Sequence, residues 1–274
     1  MTRPPAAPGA TRPRGLLHSA RLRLALGLAA VMIVGGAAYG AWYLFLRPAG
    51  PAPVDLSALP VASASPNATP GPTATAASAS VPSGSAAPSS AAALDGTWTV
   101  DTSIGSGTTG SFVGYRVQET LAGFGANTGV GRTSGVSGSF TLQGTTITAA
   151  TITADLTGLQ SDDARRDGQL THRGLETSTY PTATFVLGQP VDLGSIPSDG
   201  QIVKVQATGQ LTLHGQTKTV QVALEAKLSG AVIAVTGSMP IAFADYGIVA
   251  PTSFLALSVE DHGTMELQLM LKHA

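Results

Sequence analysis

Residues 262–272 read HGTMELQLMLK, and from Met265 onward the side chains alternate in character. Met265, Leu267, Leu269 and Leu271 fall on one side, while Glu266, Gln268 and Lys272 fall on the other. Successive side chains of an extended chain point to opposite faces, so this is a strand with one greasy and one wet face. The same rhythm runs upstream through Val203, Val205, Ala207, Leu211 and Leu213, with Lys204, Gln206 and Thr212 opposite. After a polar turn it resumes in Val220, Val222, Leu224 and Leu228, with Gln221 and Lys227 opposite, and residues 145–156 alternate as well. Strands that keep one face polar characterise antiparallel sheets.

Turn signals punctuate these strands at roughly ten-residue spacing. They are Gly138, Gly144, Gly158, Ser198-Asp199-Gly200, His214-Gly215 and Asp261-His262-Gly263. Many short strands so divided predict an all-β sandwich or closed barrel from Leu94 to Ala274. Only the charged stretch 159–180 breaks the pattern, and it predicts a short helix and a loop.

The rest of the chain divides by composition. Residues 1–23 carry five arginines and predict a basic cytoplasmic tail. Leu24 to Leu46 reads LALGLAAVMIVGGAAYGAWYLFL, with no charged side chain. At 1.5 Å per residue a helix of that length crosses a hydrocarbon core of about 30 Å. The preceding arginines leave the N-terminus inside, so an uncleaved single-pass anchor with an extracytoplasmic C-terminal domain is expected. The Gly36-to-Gly40 spacing is one that can pack a helix dimer, although Gly and Ala are so common here that oligomeric state stays open. Residues 47–93 are nearly all Pro, Ala, Ser, Thr and Gly, which predicts a disordered linker.

From Leu94 onward nine Arg and Lys face fifteen Asp and Glu, a net charge of minus six. No basic stripe exists to neutralise phosphates, which argues against nucleic acid as a partner. The absence of Cys removes disulfides, thiolate metal ligation and thiol catalysis together. His18, His172, His214, His262 and His273 show no metal-ligand spacing, and Asp162, Asp163 and Asp167 lack the rhythm of a calcium loop. His214, in a turn, is expected to bond local backbone. No GxSxG, GxGxxG or Walker sequence appears in a strand-to-helix setting, so neither an enzyme nor a bound cofactor is expected.

Several blocks in order carry a family resemblance: Trp98-Thr-Val-Asp101, Arg166-Asp167, Leu170, Tyr180-Pro-Thr-Ala-Thr-Phe185, Gly209-Gln-Leu-Thr-Leu-His-Gly-Gln-Thr-Lys218 and Asp245-Tyr-Gly-Ile248. Residues 94–274 resemble the YceI-like family, whose members look like lipocalins. Phe112–Val117 with Val130-Gly-Arg-Thr133 is similar to a membrane-anchored subgroup found in actinobacteria. The resemblance implies an antiparallel lipocalin-like barrel whose apolar tunnel binds a polyisoprenoid or an isoprenoid quinone. Typical members read Arg-Asp-x-His-Leu and then paired Phe, where this chain has Gly168, Gln169, Leu170 and Leu175-Glu176.

A barrel holds a lipid when inward side chains leave a gap. Candidates for that lining are Phe112, Tyr115, Val117, Phe140, Ile152, Leu156 and Leu170 in the first half of the domain. Phe185, Leu211, Leu213, Phe243, Tyr246, Ile248 and Leu257 follow in the second half. Inward Gly and Ala, such as Ala149, Ala207, Gly209 and Gly237, are consistent with spare volume. Arg116, Arg132 or Arg166 could hold a polar head group, because the guanidinium offers a planar fork of donors. Arg116 and Arg132 could equally be surface charges, Arg116 pairing with Glu119. Two rival functions remain: an envelope interaction module with a filled barrel, and an enzyme acting on a lipid.

Overall fold

The computed structural model describes residues 30–39, 50–59, 94–123, 125–250 and 256–274. It divides into Met1–Ala49 and Gly50–Ala274. In the first unit residues 30–39 are helical and every one is exposed. The remainder of the expected anchor and basic tail, including Gly40 of the GxxxG spacing, lies outside the described residues, as do 60–93 of the expected linker. Among the described residues no helix is long and apolar enough to cross a membrane.

Among the described residues the second unit contains thirteen strands. The first seven are β1 (Gly96–Val100), β2 (Phe112–Leu121), β3 (Gly125–Thr133), β4 (Val136–Gln143), β5 (Thr146–Asp155), β6 (Gln160–Ser161) and β7 (Thr182–Leu187). The others are β8 (Val191–Asp192), β9 (Ile202–Leu213), β10 (Gln216–Ser229), β11 (Val232–Ala242), β12 (Ala256–Val259) and β13 (His262–His273). β1, β4, β5, β7, β9, β10, β11 and β13 are successive hydrogen-bonded neighbours, and β1 returns to pair with β13. The result is a closed antiparallel ring of eight strands, which leaves it no free edge. Trp98 sits at the closing seam, paired with His273 and stacked on Phe140 with ring centroids 6.4 Å apart.

β13 is shared between two partners: Val100 pairs with Leu271 of its last turn of sequence, while Phe112–Arg116 of β2 pair with Gln268–Thr264. β2 then carries β3, β6 and β12, extending the wall at one end, the mouth. Between β4 and β5 the register passes from Thr141↔Ala149 to Leu142↔Ile147, leaving Thr148 unopposed. A bulge of this kind bends the strand and sharpens its twist, which helps a sheet close on itself. The charged stretch folds into a six-residue helix, Ala164–Gln169, and a π-helical turn, Leu170–Gly174.

One expectation needs correcting. Within the segment read as a linker, residues 50–59 are ordered and lie across the outside of the barrel. Leu56 is completely buried, packed with Leu59 against Ala234 and Met270. The side chain of Asp55 accepts a hydrogen bond from the Ser57 backbone and starts a short 3-10 turn, Leu56–Ala58. Lys227 Nζ donates to the carbonyls of Leu56 and Leu59, which closes the other end of that turn. Low-complexity composition conceals one leucine whose burial contributes about 1.5–3 kcal/mol, enough to dock a short strap.

Candidate functional site: the barrel interior and its mouth

The interior is not packed solid, so a filled barrel is not what this sequence builds. A chamber of about 460 Å³ lies at the mouth and a second of about 180 Å³ lies deeper. Val113, Ala183 and Met265 line both. The deep chamber is walled almost entirely by aliphatic carbon from the inward faces of β4, β5, β7, β9, β10, β11 and β13. The mouth chamber, at about 460 Å³, falls within the roughly 300–1,000 Å³ of ligand sites, and such apolar space suits a hydrocarbon guest whose atoms replace missing side-chain contacts.

Most of the expected lining is there. Tyr115, Val117, Leu156, Leu170, Leu213, Phe243 and Ile248 face the mouth chamber. Phe140, Ile152, Phe185 and Leu211 face the deep one. Three residues do not line either. Phe112 is buried but on the outer side of β2, where the Arg132 guanidinium lies 4.1 Å from its ring centre. Strand alternation already forbids Phe112 from sharing a face with Tyr115 three residues on. Tyr246 is buried in the 3-10 turn Phe243–Tyr246 without reaching the cavity. Leu257 is 61% exposed, because the register shift between Ala256 and Ser258 leaves it unopposed on β12.

The inward glycines behave differently from expectation. A Cβ on Gly209 would collide with the Phe185 ring, and one on Gly131 would collide with the Tyr115 ring. These glycines are seats for aromatic rings rather than empty volume, and Ala149 faces outward. The mouth is also lined by Val113, Leu159, Leu175, Ile241 and Met265, which are not among the residues expected from the sequence. Period-two alternation on β13 already places Met265 on the inward face with Leu267, Leu269 and Leu271.

The arginines separate into two groups. Arg116 and Arg132 project outside the barrel and both bind Glu266, Arg132 at 3.1 Å. Arg116 also donates to the Pro51 carbonyl and Arg132 to that of Ala52, at 3.0 Å. Burial lowers the pKa of both guanidinium groups, Glu266 being their shared counter-charge. Both guanidinium groups are thus engaged by Glu266 and the strap, and Arg116 does not pair with Glu119, since positions three apart on a strand face opposite ways. These two arginines tie the strap down.

Arg166 does reach the mouth. Asp163 caps the helix by accepting from the Arg165 and Arg166 amides, and Asp167 accepts from the Ser161 amide and hydroxyl. So fixed, Arg166 Nη2 lies 2.6 Å from Glu119 and Nη1 lies 2.6 Å from Asp162. Burial works against its charge, but the two carboxylates outweigh that and hold its pKa above the usual value. Asn127 Nδ2 donates to the same Glu119 oxygen at 2.6 Å. Leu170 and Leu175 line the cavity next to this cluster, while Glu176 adopts a φ of 47°. Of the departures from the family pattern at 168–176, Gln169 and Leu175 line the mouth chamber.

His214 bonds distant backbone, not local: its Nδ1 lies 2.9 Å from the Tyr246 carbonyl, which as an acceptor requires the proton on Nδ1. Among the described residues no cluster of His, Asp or Glu could hold a metal ion.

The fold also occurs in solved structures. A polyisoprenoid-binding domain from Saccharophagus degradans superposes with a TM-score of 0.51 at 22% identity, covering 65% of this chain and 98% of that one. BcnA from Burkholderia cenocepacia gives 0.47 at 21% identity, covering 62% and 98%. No curated protein matches the sequence significantly. The model of the YceI-like domain matches residues 98–271, which take in the ring, its mouth and both chambers, so the chain belongs to the YceI-like family.

Proposed function

We propose that this protein binds and carries a long apolar lipid, a polyisoprenoid or isoprenoid quinone, outside the cytoplasmic membrane. The observation that carries this reading is the pair of apolar chambers sharing Val113, Ala183 and Met265 inside a closed ring. Burying hydrocarbon there gains about 0.8 kcal/mol per CH₂, so a multi-isoprene tail needs few polar contacts. The polyisoprenoid binding of the Saccharophagus domain is in keeping with this reading.

Residues 24–46 are proposed as the single-pass anchor, with 1–23 in the cytoplasm, as in the actinobacterial type. Support comes from 30–39, helical and apolar all round, with Val31, Met32, Ile33 and Val34 each at least 66% exposed. A helix greasy on every side needs lipid or protein around it. The proposed role is binding without catalysis.

Organic extraction of the full-length chain purified from its native membranes, followed by mass spectrometry, tests the carrier role. An isoprenoid lipid in stoichiometric amount is expected. An extract with none, and no uptake of added lipid, overturns it.

A further inference from the structure

Among the described residues of the barrel unit, the two most exposed large apolar side chains both stand at its opening. Val249 is 73% exposed and Leu257 61%, against 44% for Val186 on β7 and 36% for Ile202 at the start of β9. Single exposed hydrophobics are ordinary on a protein surface. These two prolong a lining. Ile248 and Ala250, on either side of Val249, line the mouth chamber, and so do Ala256 and Val259 on the strand that carries Leu257. The apolar wall of the chamber thus continues outward onto the rim.

Local structure keeps both side chains out of the core. The register shift between Ala256 and Ser258 leaves Leu257 unopposed, and Val249 follows the buried Ile248 with its side chain in the open. The same structure limits how deep the rim can go. Among the described residues β12 pairs with β2 alone, so its outer edge keeps unpaired backbone groups. Such an edge is excluded from hydrocarbon, but it is tolerated about 5–10 Å into the headgroup boundary, where water still reaches it.

Charge and access narrow what covers the rim. Arg116 is held by Glu266, and Arg166 by Glu119 and Asp162. Arg165 and Arg173 on the helical segment are matched in number by Glu260 and Asp261 in the β12–β13 turn. With no basic excess, a polyanion or a phosphate-rich surface has nothing to hold. A protein cap would bury the rim but block the opening through which the chamber fills. A bilayer buries the rim and leaves the opening facing its acyl chains. The chain also joins the barrel on this side. Gly50 lies against Val130, whose partner on β2 is Arg116 at the mouth, and the strap runs from there away to Leu56 and Leu59. The segment proposed above as the anchor is upstream of that point.

We propose that the mouth rim is a membrane-docking surface: Val249 and Leu257 sink to the headgroup level of a bilayer and hold the chamber open against it. This goes beyond the carrier reading and rests on it. The contact is apolar, so it forms on uncharged lipid and is indifferent to salt.

The sequence has no Cys, so one introduced Cys carries a label alone. Full-length chain bearing a nitroxide at Val249→Cys, Leu257→Cys or Ser195→Cys is reconstituted in phosphatidylcholine vesicles. Ser195 is exposed in the loop where Leu193 and Pro197 border the deep chamber, far from the mouth. At both rim positions the label should collide severalfold more with oxygen, which collects in lipid, than with a water-soluble nickel complex; at Ser195 the order should reverse. Rim labels as open to nickel as the one at Ser195 overturn the proposal. Rim labels shielded from both reagents place a second copy of the chain on the rim and overturn it as well. A second measurement follows pickup of a dansyl-tagged polyisoprenoid alcohol from vesicles. Leu257→Asp should slow it about tenfold, the least that keeping one leucine from burial costs, with binding of the same lipid in detergent micelles unchanged. An equal pickup rate overturns docking while the carrier role stands. If the unaltered chain binds that lipid in neither vesicles nor micelles, the carrier role falls, and the labels still decide docking.

Discussion

The two faces of β13 are both shielded from water, but by different means. Leu267, Leu269 and Leu271 turn inward, where other strands surround them and the deep chamber begins. Glu266, Gln268 and Met270 turn outward and are no more exposed, at 3%, 3% and 5%. Their cover is made locally. Gln268 Nε2 donates to the Thr108 and Gly110 carbonyls, Met270 meets Leu56, and Glu266 lies beneath Arg116 and Arg132. Alternation therefore reports which way a side chain points. It does not report whether water waits there.

The sharpest way to break this comparison is Glu266→Gln. It leaves two half-shielded guanidinium groups without their counter-charge, and losing one member of such a buried cluster costs about 3–5 kcal/mol. Chemical denaturation should show a loss of about 4 kcal/mol; a loss under 1 kcal/mol would mean the outer face is shielded in name only.

On the inner face, Leu269→Ala should cost less, about 2 kcal/mol. Leu269 is only 4% exposed, but it borders a chamber already present, so its removal enlarges a cavity rather than creating one. The same variant should accept a bulkier lipid than the unaltered protein, as read by mass spectrometry of extracts. A cost at the top of the Leu→Ala range would place Leu269 in solid packing.

The smallest effect concerns the seam. Asp101 and Lys272 are 2.7 Å apart, and this bond to Lys272, with help from Ser103, lowers the Asp101 pKa to about 2. A carboxyl whose pKa falls on folding stabilises the folded state above its ordinary value near 3.8. That contribution fades as the pH drops toward 2. Asp101→Asn should flatten this part of the acid limb in a pH series of melting temperatures by lowering the neutral-pH value slightly while leaving the value near pH 2 almost unchanged, the loss being small because Lys272 is exposed. An unaltered acid limb would remove Asp101 from the account.

Much of the barrel was legible because sidedness on a strand is a purely local matter. Met265 to Lys272 and Val203 to Leu213 oriented themselves by period two, and the turn glycines marked where strands end. The misplacements share one cause: they needed knowledge of what lies across the sheet or over it. Phe112 and Tyr115 both stand among the expected lining residues, although three-residue spacing puts them on opposite faces of β2. Leu257 depended on a bulge whose partner, Leu121, is far away in sequence. Arg116, Arg132 and Lys227 alternate outward correctly, yet nothing local announces that Pro51, Ala52 and Leu56 will lie on them. The Arg166–Glu119 pair at the mouth was half visible: Arg166 was a candidate, but Glu119 on the inward register of β2 acquires meaning only once β2 and the helix are brought together.

The strap spans a long stretch of sequence with few contacts. Arg116, Arg132 and Lys227 reach Pro51, Ala52, Leu56 and Leu59 across separations of 65 to 171 positions, so residues 50–59 act as a removable patch on the outside of a ring whose own backbone ladder does not include them.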